Sequence, residues 1–402
     1  MKDFFGSVIE FVKGHLVPVI AGAVVLIVGV VCLIVFLPGG KGSETPVSTV
    51  IESDTLPTTP IPTEVPTPTP EPAAPTATPT PEPEPVDPSH EGEVISVLDG
   101  IWVPEEVAQK RPYAVMFNNI GVANPQSGIG DAKILYEALA EGGITRLMGV
   151  FEGLTEESSC KDRIGSVRSA RHYFASFADE YDAIFVHFGE TTYATKKIKK
   201  LKLDHLEGTY AIGDTVFYRD KEIKAPHNAF ASLDGIWKGI EKSGFRTDHD
   251  ESFGSNHFVF NEETVVPTVG TEASLVKLGY SDYMSPYFVY DAATGKYTRY
   301  QFDDVHIDRN TETPLTFDNL IIQLVKEWNK DENGYQDMDI EDSSGEGYYI
   351  TGGKAVPITW KKNEKNRFMC YYNEAGEVLS INPGRTFISV FPNHRLSKIV
   401  IE

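Results

Sequence analysis

Residues 111–119 read RPYAVMFNN, and this stretch gives the first indication of the fold. Its middle part, YAVMF at residues 113–117, is an unbroken apolar run behind a proline, which is typical of a strand buried on both faces. Residues 144–151 and the AIFVHF stretch within residues 182–188 repeat that pattern. Strands of this kind that alternate with helical segments predict an α/β domain with a mixed sheet.

Helical segments are predicted between these strands and after them. The first would be capped by Asp131 and would end at Gly142 and Gly143. Its apolar face would consist of Ile134, Leu135, Ala138 and Leu139. Three more helices are expected over residues 167–181 behind a Ser166 cap, in a short basic stretch that ends near Leu201, and over residues 230–243 before Gly244.

The second half of the chain has a different pattern. From about His257 onward, short β-rich stretches such as YFVYD, KYTRYQF, NLIIQLV and TFISVFP follow one another. Turn sequences at residues 293–295 and 374–376 are typical of hairpins. We therefore expect an α/β N-terminal domain over residues 93–255 and a smaller β-rich C-terminal domain over residues 256–402.

An uncharged apolar segment at residues 17–37 precedes these domains. As a helix it would measure about 30 Å, the thickness of the hydrocarbon core of a bilayer. We expect a single uncleaved transmembrane helix. Two alternatives stay open, namely a cleaved signal peptide, whose apolar core would be shorter, and a lipid anchor on Cys32, which lies inside the apolar run.

Residues 38–92 are dominated by Pro, Thr and Glu and lack the periodic apolar residues that could pack into a core. Such a segment favours an extended, disordered stalk. Lys2 and Lys13 precede the apolar segment and Lys41 follows it, so the charge bias places residues 1–16 on the cytoplasmic side or at the membrane interface. The globular domains are then expected outside the cytoplasm, tethered to the cell membrane.

The composition excludes one class of partner. The formal net charge is −22, whereas nucleic-acid binding requires a basic surface, so we predict no nucleic-acid partner. Beyond the apolar segment the only cysteines are Cys160 and Cys370. A disulfide between them would be permitted outside the cell, but they fall in different predicted domains, which favours two separate thiols.

The run RIGSVRSAR at residues 163–171 is the sharpest local signal for a site. A helix that begins at Ser166 would place Arg168 and Arg171 on one face, near the positive end of the helix dipole. A negative group must compensate these charges. It could be a bound anion, or it could be a carboxylate of the chain, with Glu137, Glu141 and Glu190 as candidates.

Two further stretches place polar residues near strand ends. HFGETTYA at residues 187–194 contributes His187 and Glu190, and APHNAF at residues 225–230 contributes His227 and Asn228. Ligands of α/β proteins bind beyond the carboxyl ends of strands. Two histidines and a glutamate could bind a metal, but the spacing matches no metal motif, so neither a metal nor a cofactor is predicted.

These stretches together resemble the YerB-like family of bacterial envelope proteins. The resemblance covers about residues 111–392 and implies an N-terminal α/β domain followed by a smaller β-rich domain. Many members look like lipoproteins, from which this chain departs by its membrane segment, and the family has no established activity. The family motifs map onto Glu137, Glu141, Arg146, Arg168, Arg171, His187 and His227. We add Arg163, Glu190 and Asn228 from the local pattern as candidate ligand-binding residues.

Three functions are compatible with these observations. The favoured hypothesis is a tethered binding or scaffold protein of the cell envelope, whose site holds an anionic wall component, a metabolite or a peptide carboxylate. An alternative is a hydrolase or transferase that acts on cell-wall or glycan substrates, with His187 or Glu190 as the general acid or base. A second alternative is a platform for envelope proteins that uses the β-rich domain as its contact surface.

Overall fold

The computed structural model describes residues 88–250, 253, 257–363 and 368–402. The predicted cytoplasmic N-terminus, the transmembrane segment at residues 17–37 and nearly all of the predicted stalk lie outside the described residues. Among the helices that are described, none has both the length and the apolar character needed to cross a bilayer.

The described part of the chain is largely β structure. The strands of its first half are β1 (Glu93–Ile95), β2 (Trp102–Pro104), β3 (Tyr113–Asn119), β4 (Ile134–Leu139), β5 (Thr145–Phe151), β6 (Ile164–Gly165), β7 (Ile184–His187), β8 (His205–Glu207), β9 (Phe217–Arg219) and β10 (Ala229–Ala231). The α-helices are α1 (Glu105–Ala108), α2 (His172–Glu180), α3 (Thr192–Leu201), α4 (Gly213–Val216) and α5 (Leu233–Ser243).

The second half contributes strands alone, apart from one 3₁₀ segment at Asn393–Lys398. They are β11 (Val259–Phe260), β12 (Thr271–Glu272), β13 (Leu275–Leu278), β14 (Tyr287–Asp291), β15 (Lys296–Gln301), β16 (Asp304–Val305), β17 (Thr316–Phe317), β18 (Asn319–Val325), β19 (Glu327–Asn329), β20 (Gln336–Met338), β21 (Ser343–Thr351), β22 (Lys354–Lys362), β23 (Cys370–Tyr372), β24 (Ser380–Ile381), β25 (Thr386–Pro392) and β26 (Ile399–Ile401).

The central sheet has 11 strands in the order β12-β22-β21-β18-β25-β4-β5-β3-β7-β8, with β23 beside β22. It is mixed, because β18, β25 and β4 run parallel, as do β3, β7 and β8, while the other neighbours are antiparallel. Pairing of β4 with β25 joins strands from both halves of the chain. The boundary between residues 255 and 256 stays a prediction.

A layer covers each face of this sheet around β4. On one face, Phe177 of α2 stacks on Tyr136 with ring centroids 4.9 Å apart. On the other face lies a sheet of six strands in the order β16-β15-β14-β13-β26, with β17 beside β15. Phe288 of β14 packs there on Phe387 of β25 at 4.7 Å. Strand β4 is therefore buried on both faces.

The helix predicted behind Asp131 is wrong, because residues 134–139 form strand β4. All six side chains of that strand are buried. Asp131 instead accepts hydrogen bonds from the Ser159 hydroxyl (2.9 Å) and the Cys160 amide (2.8 Å). A central strand loses the alternation that marks one-sided strands, and here the spacing of the apolar residues also fits a helix.

The helix predicted from residue 167 begins five residues later, at His172. The backbone before it is extended, because neighbouring strands take up its hydrogen bonds. Asn118 donates its amide to the Ser166 carbonyl (2.9 Å), and Arg168 donates its amide to Met116 (3.1 Å). Arg168 therefore precedes the helix, Arg171 is its N-cap residue, and the predicted helical face that they share is wrong.

Several other predicted elements are confirmed. Strands β3, β5 and β7 lie where the apolar runs indicated. The basic helix α3 ends at Leu201, and the Thr191 hydroxyl caps it by accepting the Ala194 amide at 3.1 Å. Helix α5 ends at Gly244, as expected, but begins at Leu233 because the residues before it form β10.

Candidate functional site

Strands β3 and β5 place Asn118 and Arg146 directly opposite each other. Successive side chains of a strand point to opposite faces, so these two share the face that α2 covers, while Asn119 and Thr145 point to the other face. This alternation separates the candidate residues of the first half into two groups.

Arg146 is a deeply buried charge on the α2 face. It is 3% exposed, and its Nε and Nη1 atoms have no hydrogen-bond partner among the described residues. Burial, together with the positive charges of Arg171 and Arg168, lowers the pKa of Arg146 to about 9. Burying a guanidinium group without hydrogen-bond partners costs free energy, unless another group supplies hydrogen-bond acceptors and negative charge.

Arg168 lies near Arg146 and is less buried. Its Nη1 donates to the Pro226 carbonyl at 3.2 Å, whereas its Nε is buried without a partner. Burial and the charges of Arg171 and Arg219 lower the pKa of Arg168. The guanidinium groups therefore lie close enough to one another to repel each other, and this repulsion lowers the pKa values of Arg146 and Arg168.

One carboxylate compensates part of this charge. Arg171 holds Glu141 through two hydrogen bonds, from Nε at 2.6 Å and from Nη2 at 2.5 Å. Burial alone would raise the pKa of Glu141, but the hydrogen bonds and the charge of Arg171 outweigh it and lower this pKa below its ordinary value. Both carboxylate oxygens of Glu141 are therefore hydrogen-bonded to Arg171.

His227 adds a further donor. The side-chain nitrogen Nδ2 of Asn118 donates to His227 Nδ1 at 2.9 Å, so the neutral imidazole ring carries its proton on Nε2. Burial and the charges of Arg168 and Arg146 lower the pKa of His227, which keeps the ring neutral at neutral pH.

We call Arg146, Arg168, Arg171 and His227 the arginine site. Within the described parts of the chain, no carboxylate oxygen lies within 4.0 Å of the guanidinium nitrogens of Arg146 or Arg168. Planar guanidinium groups are suited to bidentate contacts with carboxylates and phosphates. The arrangement can therefore bind an anion.

Glu137 belongs to a different group, on the opposite face of the same strands. Its carboxylate accepts from Asn119 Nδ2 (3.0 Å), Thr145 Oγ1 (2.6 Å) and Arg299 Nη2 (2.8 Å), and the Arg299–Glu137 pair is completely buried. Arg299 Nη1 also contacts His306. We call Glu137, Asn119, Thr145, Arg299 and His306 the Glu137 cluster, which joins the central sheet to the six-stranded sheet.

Arg163 and Asn228 have structural partners. Arg163 pairs with Asp220 at 2.7 Å and lies over the Phe230 ring, 3.7 Å from its centroid. Asn228 accepts from Arg219 Nη1 at 2.7 Å and donates to the Asp220 carbonyl at 3.0 Å. Both residues brace the segment that carries His227 and do not themselves present unpartnered groups.

His187 and Glu190 meet a residue that the sequence did not indicate. His187 Nε2 lies 3.0 Å from His205 Nδ1 and 3.9 Å from Glu190 Oε2. Burial lowers the pKa of both histidines. The three ligand atoms lie within 4.8 Å of one another, the kind of separation that a metal site needs. His227, which was the sequence candidate for this role, is instead bonded to Asn118.

Sequence reasoning missed Asn118, His205 and Arg219. Asn118 directly follows the first apolar run, and polar residues at such a strand end were a usable signal. His205 and Arg219 lie in strands of three residues, which are too short for a periodic pattern to mark them.

A surface cavity of about 330 Å³ lies elsewhere, beside α2, α3 and the β19–β20 hairpin. None of its lining residues belongs to the arginine site. Two of its lysines, Lys197 and Lys330, are already paired with Glu341 and Asp337. The unpartnered charges of the arginine site make it the stronger candidate.

The cysteines Cys160 and Cys370, both within the described residues, are not joined by a disulfide. Cys160 is buried, and burial raises the pKa of its thiol. It is therefore a poor nucleophile.

Comparison with known proteins identifies the family. Residues 98–246 match the N-terminal domain, and residues 276–388 the C-terminal domain, of the family described as "Protein of unknown function (DUF3048)". A relative from Bacillus subtilis (strain 168), described as "Putative lipoprotein YerB", is 32% identical over 299 residues, which are 74% of this chain and 86% of the relative.

The fold matches a solved structure as well. A crystal structure of the YerB protein from Bacillus subtilis has a TM-score of 0.66 and 30% identity, and the match covers 77% of this chain and 99% of that one. The order of the sequence motifs, the two domain matches and the shared fold agree, and the chain therefore belongs to the YerB-like DUF3048 family.

Proposed function

We propose that this chain is a membrane-anchored, extracytoplasmic binding or scaffold protein of the bacterial cell envelope, and that its arginine site holds an anionic group of the ligand. The observation that carries the binding role is Arg146, a buried guanidinium with two nitrogens that lack hydrogen-bond partners. An anion at this site would supply both the acceptors and the charge that the described residues do not provide.

The location rests on the N-terminal sequence. Residues 17–37 are long and apolar enough for a single-pass helix with the N-terminus in the cytoplasm, and residues 38–92 have the composition of a stalk. The description of the Bacillus subtilis relative as a lipoprotein supports membrane attachment in the family.

This location is tested by adding a protease to intact protoplasts that express the full chain. We expect loss of the globular part while a cytoplasmic marker protein stays intact. Protection of the globular part until the membrane is permeabilised would contradict the proposed orientation.

The chemistry of the site favours a carboxylate or a phosphate as the bound group. Arg146 and Arg168 offer three buried nitrogens without partners, and His227 offers a neutral donor. Acidic wall components, anionic metabolites and an acidic segment of an envelope protein all carry such groups.

The alternative of a wall-acting enzyme would use His187 or Glu190 as the general acid or base. His187 is completely buried, and its Nε2 faces His205. A general base must reach the substrate proton within hydrogen-bond distance, and both ring nitrogens of His187 are already hydrogen-bonded, to His205 and to the Gly189 carbonyl. The binding role is therefore better supported.

The binding role is tested by isothermal titration of the full-length chain in detergent with sulfate, phosphate and acetate. We expect saturable binding of at least one of these anions, and a loss of at least about tenfold in affinity for Arg168→Gln, because one charge-assisted contact contributes about 1.5–3 kcal/mol. The matched control is Arg395→Gln, whose guanidinium donates to the Gly279 carbonyl in the second half of the chain.

Unchanged affinity in Arg168→Gln would contradict the proposal, as would the absence of binding by all three anions. Circular dichroism spectra of the variants must match that of the parent chain, so that lost binding is not confused with lost folding.

A further inference from the structure

His187 and His205 lie on neighbouring parallel strands. In the register of β7 and β8, Phe185 is opposite His205 and His187 is opposite Glu207. Phe185 and His187 are two residues apart in β7, so their side chains lie on the same face of the sheet. His205 is opposite Phe185 and therefore lies on the same face as His187. Glu190 lies three residues after the end of β7, in the loop before helix α3 begins.

We propose that His187 Nε2, His205 Nδ1 and Glu190 Oε2 bind a divalent transition-metal ion of the zinc class. Two imidazoles and one carboxylate form a known type of three-residue zinc site, which leaves at least one position for water or another ligand. No zinc-binding sequence motif marks this set, since its members come from two strands and a loop.

Two of the three distances between ligand atoms fit such an ion after small movements, whereas the third, between His205 and Glu190, lies within 4.8 Å and must shorten by about 1 Å. Ligand atoms about 2.0–2.1 Å from a tetrahedral zinc lie about 3.3 Å from one another. The His187–His205 separation is 3.0 Å and the His187–Glu190 separation is 3.9 Å. The first distance must therefore lengthen slightly and the second must shorten by roughly half an ångström.

The proton positions are also compatible with metal binding. His187 Nδ1 lies 3.0 Å from the Gly189 carbonyl oxygen, so it carries the ring proton and leaves Nε2 with a lone pair. Such a hydrogen bond to a backbone carbonyl is the usual contact that orients a metal-binding histidine.

The orientation of the His187 and His205 rings shows which movements metal binding would require. The rings are parallel within 6° with centroids 5.2 Å apart, so the facing nitrogens lie nearly on the line between the centroids and share one proton. On metal binding, the His205 proton moves from Nδ1 to Nε2, and both rings tilt towards Glu190. The number of protons on the pair is unchanged.

Glu190 supplies an independent indication of a missing ligand. Its Oε1 accepts from Tyr210 OH at 2.7 Å and from Thr195 Oγ1 at 2.9 Å. Its Oε2 is buried and has no hydrogen-bond partner in the described part of the chain. Since a buried acceptor without a partner is costly, a cation at Oε2 accounts for an atom that is otherwise unexplained.

The metal site and the arginine site are separate sets of residues. Their backbones are adjacent, because Ala170 donates its amide to the Gly189 carbonyl at 2.9 Å. The two proposals rest on different side chains, so either can fail without the other.

The test is equilibrium dialysis of the full-length, tag-free chain in detergent against Co²⁺, followed by visible absorption spectroscopy. We expect one Co²⁺ per chain, absorption bands of a low-coordinate site, and displacement of Co²⁺ by Zn²⁺. Changes next to a metal ligand already reduce affinity about 10–100-fold, so Glu190→Gln should weaken binding at least about tenfold.

Matched controls use exposed residues of the same types. Glu374→Gln and His394→Gln should bind Co²⁺ as the parent chain does, since Glu374 is exposed and the His394 side chain is 55% exposed. His205→Gln serves as a second variant if Glu190→Gln does not fold. The absence of stoichiometric Co²⁺ binding by the parent chain would overturn the proposal, and so would equal affinities in Glu190→Gln and Glu374→Gln.

Discussion

Arg299 and Arg146 lie against opposite faces of the same three strands, β3, β4 and β5, and their surroundings differ. In the Glu137 cluster, the charge of Arg299 faces the Glu137 carboxylate at 2.8 Å. In the arginine site, Arg146 has two positive neighbours. The nearby Glu141 carboxylate offsets part of their effect on the pKa of Arg146, but its hydrogen bonds go to Arg171.

The difference separates a structural role from a binding role. A buried charge with an internal counter-ion supports the fold, and removing either partner is costly. A buried charge without an internal counter-ion is held in place by the rest of the fold. In the proposed binding role, an external anion then supplies the missing negative charge.

The largest effect is expected on the Glu137 face. Glu137→Gln leaves the buried Arg299 charge without a counter-ion, so the free energy of unfolding should fall by about 3–5 kcal/mol in chemical denaturation of the full chain. Adding Arg299→Gln to this variant should restore part of the loss, because the uncompensated charge is then removed.

The control for this prediction is the exposed Asp234–Lys238 pair. Asp234→Asn should change the free energy of unfolding by less than about 1 kcal/mol. A loss for Glu137→Gln as small as that of the control would show that the buried pair does not support the fold.

The opposite result is expected for Arg146→Met. This change removes a buried charge that forms no ion pair within the described residues, so the free energy of unfolding should stay the same or rise by about 1–2 kcal/mol. Sulfate affinity should nevertheless fall at least about tenfold, measured by titration calorimetry. A destabilisation comparable to that of Glu137→Gln would mean that Arg146 is a structural residue.

The pH dependence of sulfate binding sharpens the assignment to Arg146. Its pKa is lowered to about 9, so the charged form that binds an anion is fully present below that pH and is lost as the pH rises through it. Sulfate keeps its charge in this range. Affinity should be level from about pH 7 to 8 and about tenfold lower near pH 10, as the protonated fraction falls.

Arg395→Gln should reproduce this profile, because its site lies elsewhere. In Arg146→Met the decline should be absent. An affinity in the parent chain that does not fall above pH 9 would remove Arg146 from the binding residues.

The smallest effect is expected for His227→Gln. The pKa of His227 is lowered by burial and by the neighbouring arginines, so the ring contributes a neutral donor rather than a charge. A neutral hydrogen bond contributes about 0.5–1.5 kcal/mol, which corresponds to a loss of several-fold in sulfate affinity by calorimetry. A loss as large as that of Arg146→Met would indicate that the histidine binds in its charged form.

Local sequence patterns predicted the elements whose signal is local. The apolar runs predicted β3, β5 and β7, and a Thr cap with a basic C-terminal end accompanies the predicted helix α3. Strand β4 was mistaken for a helix because the spacing of Ile134, Leu135, Ala138 and Leu139 also fits one face of a helix. The contacts that hold this strand between two layers include the buried ion pair of Glu137. Its partner, Arg299, is 162 residues away, and no local pattern records a contact at that distance.

The sequence predicted which residues belong to the candidate site better than it predicted how they are arranged. Arg146, Arg168, Arg171 and His227 were named from the sequence, and the structure brings them together. The reason given, a shared helical face, was wrong for Arg168, because backbone hydrogen bonds to β3, to β10 and to Gly189 take up the residues before His172. The binding role of the arginine site stays a prediction. The metal set that includes His205 is a proposal made from the structure, because the sequence predicted no metal.

The most direct test of the account measures the free energy of unfolding with and without sulfate, at constant ionic strength set with chloride. We expect sulfate at one hundred times the dissociation constant of the parent chain to stabilise the parent chain and Arg395→Gln by about 2.7 kcal/mol, and to stabilise Arg146→Met, whose affinity is at least about tenfold lower, by no more than about 1.4 kcal/mol. Equal stabilisation of all three chains, or none in the parent chain, would contradict the claim that Arg146 awaits an external anion.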